Sequence, residues 1–272
     1  MTGSPLLDQL VAIAGHAAEL VLEVYAADFE VELKGPDDPV TTADRRANQL
    51  ICDALRDCFP ECPIVAEESD SAAYGDYRHA SRVFFVDPVD GTREFVRRTG
   101  EFVVMIGCVE ESRAVAGVIW APTTATVWIG QLGFGALRRQ GTQPFEHIAP
   151  TLTRELGEAR LLVSRAQNSQ ETETLRSLLE LPSVVAMGSA GLKGAAVAEG
   201  SADGYVAPEY AGKRWDACAP DAIVSAAGGV FTDATGKPID YRSEDLVNRH
   251  GLVAANARLH REIVQSLNNA RR

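Results

Sequence analysis

The amino-acid sequence predicts an α/β protein whose N-terminal half is α+β. Between Val83 and Ile129, short apolar runs follow one another with turn residues between them, as expected for consecutive strands of one sheet. After about residue 150, short apolar runs alternate with helical patterns, as expected for an α/β layer. The chain has 272 residues, 46% of them apolar and 24% charged, enough to bury a core without disulfides or structural metal. We divide it into a half spanning residues 1–145 and a half spanning 146–272.

In order, Leu6 to Tyr25 carries apolar residues at helical spacing, and Lys34 to Pro39 reads as a turn-rich break. A second helix follows Thr41 and Thr42 and is closed by Pro60. Pro63 to Ala66 and Val83 to Val86 are buried strands. Val103 to Val109, Ala114 to Trp120 and Ala125 to Ile129 form an antiparallel meander, and Gly133 to Arg139 adds a further strand. In the second half, strands at Leu161–Ser164, Val184–Met187, Tyr205–Ala207, Val230–Thr232 and Leu252–Ala254 are interleaved with helices. These helices lie at Glu171–Leu181, Leu192–Glu199 and Asp216–Ala227, with a last one from Arg258.

The net charge of −12 keeps the chain away from a nucleic-acid backbone, so no nucleic-acid partner is expected. Five cysteines without a CxxC pair fit a reduced cytoplasmic protein with buried thiols. No basic leader precedes the first helix, and acidic residues and a histidine interrupt its apolar run, so neither a signal peptide nor a membrane span is expected. Peripheral membrane association is left open.

The chemistry concentrates at acidic residues that end apolar runs. Strand Val83–Val86 delivers Asp87, and Pro88 is expected to stop the ladder. Asp90, Gly91 and Thr92 follow on a tight turn, where two carboxylates can converge while Gly91 admits a ligand closely. Thr92 opens a short helix whose free amides suit phosphate. A surface turn with an aspartate cap explains this motif alone equally well. Glu67-Glu68 ends another apolar strand and Trp215-Asp216 opens an alanine-rich segment. Together these carboxylates make an all-oxygen donor set for hard divalent cations, two of which could clamp a phosphoryl transfer.

Four segments in this order resemble the inositol monophosphatase superfamily of lithium-sensitive, Mg²⁺-dependent phosphatases. They are Pro39-Val40-Thr41-Thr42-Ala43-Asp44, Glu67-Glu68-Ser69, Asp87 through Thr92, and Trp215-Asp216 with Ala226-Ala227-Gly228-Gly229. The resemblance implies the layered α/β/α/β/α sandwich of the inositol monophosphatase and fructose-1,6-bisphosphatase type. It implies that Glu67, Asp87 and the Val89 carbonyl hold a first Mg²⁺, that Asp87, Asp90 and Asp216 hold a second, and that Glu67 faces a weaker third. It also implies that Thr92, paired with Asp44, activates the nucleophilic water, and that Gly91 and Thr92 offer amides to phosphate. A homodimer is compatible with it.

Around the motif, Asp90-Gly91-Thr92-Arg93-Glu94-Phe95 with Gly100-Glu101-Phe102 is similar to the bacterial CysQ group, 3′(2′),5′-bisphosphate nucleotidases. The partner this implies is a small phosphorylated substrate, a nucleotide. Ser164-Arg165 and the stretch from Gly188 to Lys193, with Ser189, resemble nucleotide-contacting segments of that group. The family often places a histidine soon after Ser-Arg, where this chain has Ala166-Gln167-Asn168. Lys213 and Arg214 replace the acidic residue and histidine that grip inositol. They are expected to hold a second phosphate, together with Lys193, unless they are merely solvated. Arg97-Arg98 reads as a helix-surface pair rather than a phosphate anchor. Two rivals remain: an inositol-, sugar- or histidinol-phosphate phosphatase, and a non-catalytic metal-binding regulator.

Overall fold

Residues 2–35, 38–165 and 169–271 are described here from a computed structural model. Helix α1 (Pro5–Ala26) is capped by Ser4, whose hydroxyl accepts from the Leu7 amide at 3.3 Å. It is long and apolar enough to cross a membrane, but Leu7, Leu10, Ala14, Ala17 and Val21 are fully buried in the core that it shares with the first sheet. Strands β1 (Val31–Gly35) and β2 (Asp38–Thr41) pair as an antiparallel hairpin where the sequence suggested only a break. β1 is exposed along most of its length, so no inward–outward alternation betrays it. Helix α2 (Thr42–Cys58) follows, opened by a capping box between Thr41 and Asp44.

The first sheet has seven strands in chain order: β3 (Ile64–Ala66), β4 (Arg82–Asp90), β5 (Val103–Glu110), β6 (Arg113–Ala121), β7 (Thr126–Gln131), β8 (Gly135–Gln140) and β9 (Glu146–His147). β3 and β4 are parallel, and every later pair is antiparallel. β4 corrects one expectation, because Pro88 does not end it. Pairing with β5 shifts between Asp87, opposite Met105, and Asp90, opposite Val103, so a bulge absorbs the proline and the strand continues. Short helix α3 (Thr92–Val96) begins directly after it.

The second sheet has strands β10 (Leu161–Ser164), β11 (Val184–Met187), β12 (Gly204–Ala207), β13 (Val230–Thr232) and β14 (Leu252–Ala255), in the order β11-β10-β12-β14-β13. Helices α4 (Ser169–Leu178), α5 (Ala190–Ala198), α6 (Arg214–Ala226) and α7 (Ala257–Ala270) complete the chain.

Side-chain alternation sorts these elements into five layers. Phe84 and Val86 face α1 and α2, whereas Val83 and Phe85 share a core with α5 and α6. Leu162 and Tyr205 of the second sheet turn to that same middle layer, while Leu161, Val163 and Val206 turn outward to α4 and α7. The result is the expected α/β/α/β/α sandwich. Glycines let α6 lie unusually close to the first sheet. A Cβ on Gly107 of β5, Gly117 of β6 or Gly130 of β7 would come within 2.4 Å of Cys218 Sγ, 2.8 Å of the Ala219 carbonyl oxygen or 2.8 Å of Ile223 Cα. This crossing anchors the helix whose first turn carries Asp216.

Candidate active site

The β4 bulge, the N-terminus of α6 and the end of β3 meet at one place. Oxygens of Asp87, Asp90 and Asp216 lie within 4.8 Å of one another. Each carboxylate is held by its own donors. Asp87 Oδ1 accepts from the Val89 amide at 3.0 Å, and Asp216 Oδ2 from the Lys213 amide at 2.6 Å. Asp90 Oδ2 accepts from the Gly191 amide at 2.7 Å and from the Ser189 hydroxyl. Ser189 makes that contact from a left-handed backbone (φ 59°), a strained conformation for a residue with a Cβ.

Asp44 and Thr92 come together as the resemblance implied. Thr92 Oγ1 is 3.0 Å from Asp44 Oδ1 and 3.0 Å from the Val89 carbonyl oxygen. Asp44 Oδ2 accepts from the amide and hydroxyl of Thr41 at 2.8 and 2.5 Å, which leaves Oδ1 for Thr92. The capping box of α2 thus also aims the carboxylate. Gly91 cannot be replaced without strain. Its φ is 99°, and an added Cβ would stand 2.6 Å from the Glu101 carbonyl oxygen.

The electrostatics show what the cluster lacks. Burial pushes the Asp87 and Asp216 carboxyls well above the usual range, and repulsion from Asp90 and Glu67 adds to the effect. Burial likewise raises Asp44, and pushes Glu67 up to about 7. Like charges crowded away from water call for cations. A rigid set of carboxylate oxygens fits hard divalent ions, so the residues present suit the metals expected of them.

Other expected contacts are placed differently. Glu67 stands outside the converging set, and its carboxylate is 3.1 Å from Lys34 Nζ on β1, which also lies 2.6 Å from Glu68. Those carboxylates raise the Lys34 ammonium against the opposing effect of its burial. Sequence reasoning missed Lys34 because the hairpin carrying it was read as a break.

Lys193 is a correction. Only 2% exposed, it donates to the carbonyls of Ser189 and Met187 at 2.6 and 3.3 Å and sits over the Tyr205 ring, so it props the Ser189 turn and has no surface for a substrate. Burial lowers its ammonium to about 8. Arg214 is a second correction. It donates to the carbonyls of Asp240 (2.9 Å) and Val247 (3.2 Å) and to the Asn248 side chain, which binds it to a loop of its own half. Lys213 is exposed with Nζ over the Trp215 ring. The thiols also divide, since Cys52, Cys108 and Cys218 are buried but Cys58 is exposed.

Ser164 and Ser189 line a cavity of about 230 Å³ beside the carboxylates, together with Arg93, Glu94, Arg97 and Arg165. Glu101 ties two of its lining residues together, accepting from Arg165 Nη2 at 2.6 and 2.5 Å and from the Gly188 amide at 2.9 Å. Arg97 and Arg98, expected as a helix-surface pair, therefore differ in their surroundings. Arg97 faces the cavity, whereas Arg98 stacks on Tyr25 and Phe29. Ala166, Gln167 and Asn168, where the family histidine is missing, lie outside the described residues.

Comparison with known proteins agrees with this geometry. The model of the inositol monophosphatase family matches residues 3–272. The 3′(2′),5′-bisphosphate nucleotidase CysQ of Salmonella typhimurium is 34% identical over 240 residues, covering 87% of this chain and 94% of that protein. Among solved structures, the IMPase of Thermotoga maritima superposes with a TM-score of 0.82 at 27% identity, covering 98% of each chain. CysQ of Bacteroides thetaiotaomicron gives 0.76 at 28% identity, covering 91% of this chain and 96% of that one. The chain belongs to the inositol monophosphatase family.

Proposed function

We propose that this protein is a Mg²⁺-dependent phosphomonoesterase of the cytoplasm that removes the 3′-phosphate of adenosine 3′,5′-bisphosphate. The observation that carries the hydrolytic reading is the Asp44–Thr92 contact of 3.0 Å beside three converging aspartates. A protein that only binds metal needs no such water-orienting pair, which argues against the non-catalytic regulator.

Asp87, Asp90, Asp216 and the Val89 carbonyl would hold two Mg²⁺ ions, with Glu67 reaching one of them or a weaker third once Lys34 releases it. Bound there, the metal would polarise the phosphate and lower the pKa of a coordinated water. The remaining work belongs to the chain. Thr92 donates its hydroxyl hydrogen to Asp44 and can accept a hydrogen bond from the attacking water, which orients it in line with the phosphorus. Burial raises the proton affinity of Asp44, which suits it to take up, by way of the Thr92 hydroxyl, the proton that the attacking water loses. Water adds to phosphorus as the ester P–O bond breaks, and the leaving alkoxide recovers a proton from solvent.

The substrate choice rests on the Arg93-Glu94-Phe95 and Gly100-Glu101-Phe102 pattern and on the likeness to CysQ. The fold likeness to an IMPase supports a second reading, an inositol phosphate phosphatase, but a shared fold does not choose a substrate. Assays with Mg²⁺ separate the two. kcat/KM for adenosine 3′,5′-bisphosphate should exceed that for inositol 1-phosphate by at least about tenfold, the worth of one charge-assisted contact. Equal efficiency would overturn the nucleotidase reading.

A further inference from the structure

We infer that Asn248 is a positioning residue for the candidate metal centre, fixing the backbone turn that aims Asp216. The inference rests on the reading of Asp216 as a metal ligand and deepens it. Among the described residues, the Asp216 carboxylate has one hydrogen-bond donor, the Lys213 amide, which meets Oδ2 at 2.6 Å. That N–H belongs to the peptide joining Gly212 to Lys213. A trans peptide is planar, and its N–H and C=O point in opposite directions. Whatever fixes the Gly212 carbonyl therefore fixes the direction of the Lys213 amide.

Asn248 holds this peptide and both of its neighbours. Its backbone amide donates to the Gly212 carbonyl at 2.8 Å. Its side-chain Nδ2 donates to the flanking carbonyls, Ala211 at 3.0 Å and Lys213 at 2.5 Å. Its own carbonyl accepts from the Ala211 amide at 3.1 Å, and Oδ1 accepts from Arg214 Nη1. Only one setting of the side-chain amide satisfies this shell, because two carbonyls need the NH₂ group and a guanidinium needs the oxygen. Asn248 is only 3% exposed, so little water competes for these bonds.

The clamped turn does not hold itself. Gly212 has a left-handed backbone, φ 67°, and a Cβ there would collide with Asp216 Oδ2. Glycine lets the chain pass so close to the carboxylate, but it is also the residue with the most backbone freedom to lose. Asp44 takes its aim from Thr41, three residues away in the same helix start. Asp216 takes its aim from a residue 35 positions beyond Lys213, in a segment that is neither helix nor strand. Asn248 makes no hydrogen bond to Asp87, Asp90 or Asp216 among the described residues, so it acts through the turn.

The test measures Mg²⁺ binding by isothermal titration, and thermal unfolding in EDTA, for wild type, Asn248→Asp, Asn248→Ser and Asn256→Asp. Asn256 is the matched control. Its Nδ2 also donates to two carbonyls, Thr151 at 3.1 Å and Thr153 at 2.8 Å, but it caps α7. Aspartate keeps the size and the accepting oxygen of asparagine and replaces its two donors with an acceptor. The charge that Asn248→Asp adds near Asp216 would by itself draw a cation in, so weaker binding reports lost alignment. Asn248→Ser removes the double clamp without adding charge. Both aspartate variants should unfold earlier than wild type in EDTA. The two Asn248 variants should also bind Mg²⁺ about tenfold more weakly, the scale for a residue that orients a metal ligand, whereas Asn256→Asp binds it as wild type does. The inference is overturned if both Asn248 variants bind Mg²⁺ within about threefold of wild type, if Asn256→Asp loses as much, or if neither Asn248 variant folds. If wild type takes up no Mg²⁺, the metal reading of Asp216 itself fails.

Discussion

Helix α6 carries two half-buried carboxylates, and the protein treats them in opposite ways. Asp221 accepts from Tyr241 Oη at 2.9 Å and from Ser225 Oγ at 3.0 Å. It is a satisfied group tying the helix to the segment after β13. Asp216, in the first turn, receives the Lys213 amide, and the repulsion it meets from Asp90 and Glu67 outweighs the pull of the Lys213 ammonium. Carboxylates drawn partly out of water stabilise a fold when neutral donors satisfy them, whereas carboxylates crowded together cost stability and call for a cation. The difference separates a structural acid from a candidate metal ligand without reference to any relative.

The sharpest way to break this comparison is to neutralise one acid of each kind. Asp90→Asn should lower kcat with Mg²⁺ by about 10²–10³-fold, the scale seen when one preorganised electrostatic group is lost. The metal-free variant should unfold no earlier than wild type, because a repelling charge has gone. Asp221→Asn should keep wild-type turnover. Thermal unfolding with EDTA and steady-state kinetics with Mg²⁺ measure both. Wild-type turnover by Asp90→Asn would refute the metal assignment.

Next in size is the water-orienting pair. Thr92→Ala removes the hydroxyl that contacts Asp44, and that we propose orients the attacking water, but no proposed metal-ligand side chain. It should lower kcat by about 10²-fold, the lower end for a lost proton-transfer group, with KM nearly unchanged. An effect confined to KM would make Thr92 a binding residue instead.

How much of this was legible in the sequence follows from the range of the forces involved. The aspartates at 87 and 90 sit within one short motif, and Asp44 is aimed by a capping box with Thr41, so local sequence announced them. The meander was visible because its strands are buried on both faces and joined by short turns. The β1–β2 hairpin was not, since an exposed strand leaves no periodic pattern. Pro88 inside β4 misled for a related reason, because a bulge depends on the register with β5. Cations were the hardest to assign. Whether Lys193, Arg214 or Arg97 meets a ligand depends on which carbonyls tertiary packing brings near. Glu101 finds its partners 64 and 87 residues away, at Arg165 and Gly188. Nothing in a local window reports such a pairing.

The smallest expected effect sharpens the contrast from the structural side. Burial pushes the Asp221 carboxyl from an ordinary 3.8 up to about 7, even though Tyr241 and Ser225 pull it back down. The folded protein therefore holds a proton there that the unfolded chain has already released between those two pH values. Stability must fall as pH rises through that window, because the native state binds more protons, and the loss is complete above about 7. Asp221→Asn keeps the shape and removes the titration, so the variant should gain on wild type as pH rises from about 4 to about 7. A relative gain on the order of 1 kcal/mol would move Tm by about 2–4 °C for a chain of this size. Comparing the two proteins under identical conditions, with Mg²⁺ present throughout, cancels the slope that the clustered aspartates contribute to both. Unfolding curves that stay parallel from pH 4 to pH 8 would mean that Asp221 is already ionised in the folded state at the acid end. Its two hydroxyl donors would then outweigh burial, and the contrast with Asp216 would rest on repulsion alone.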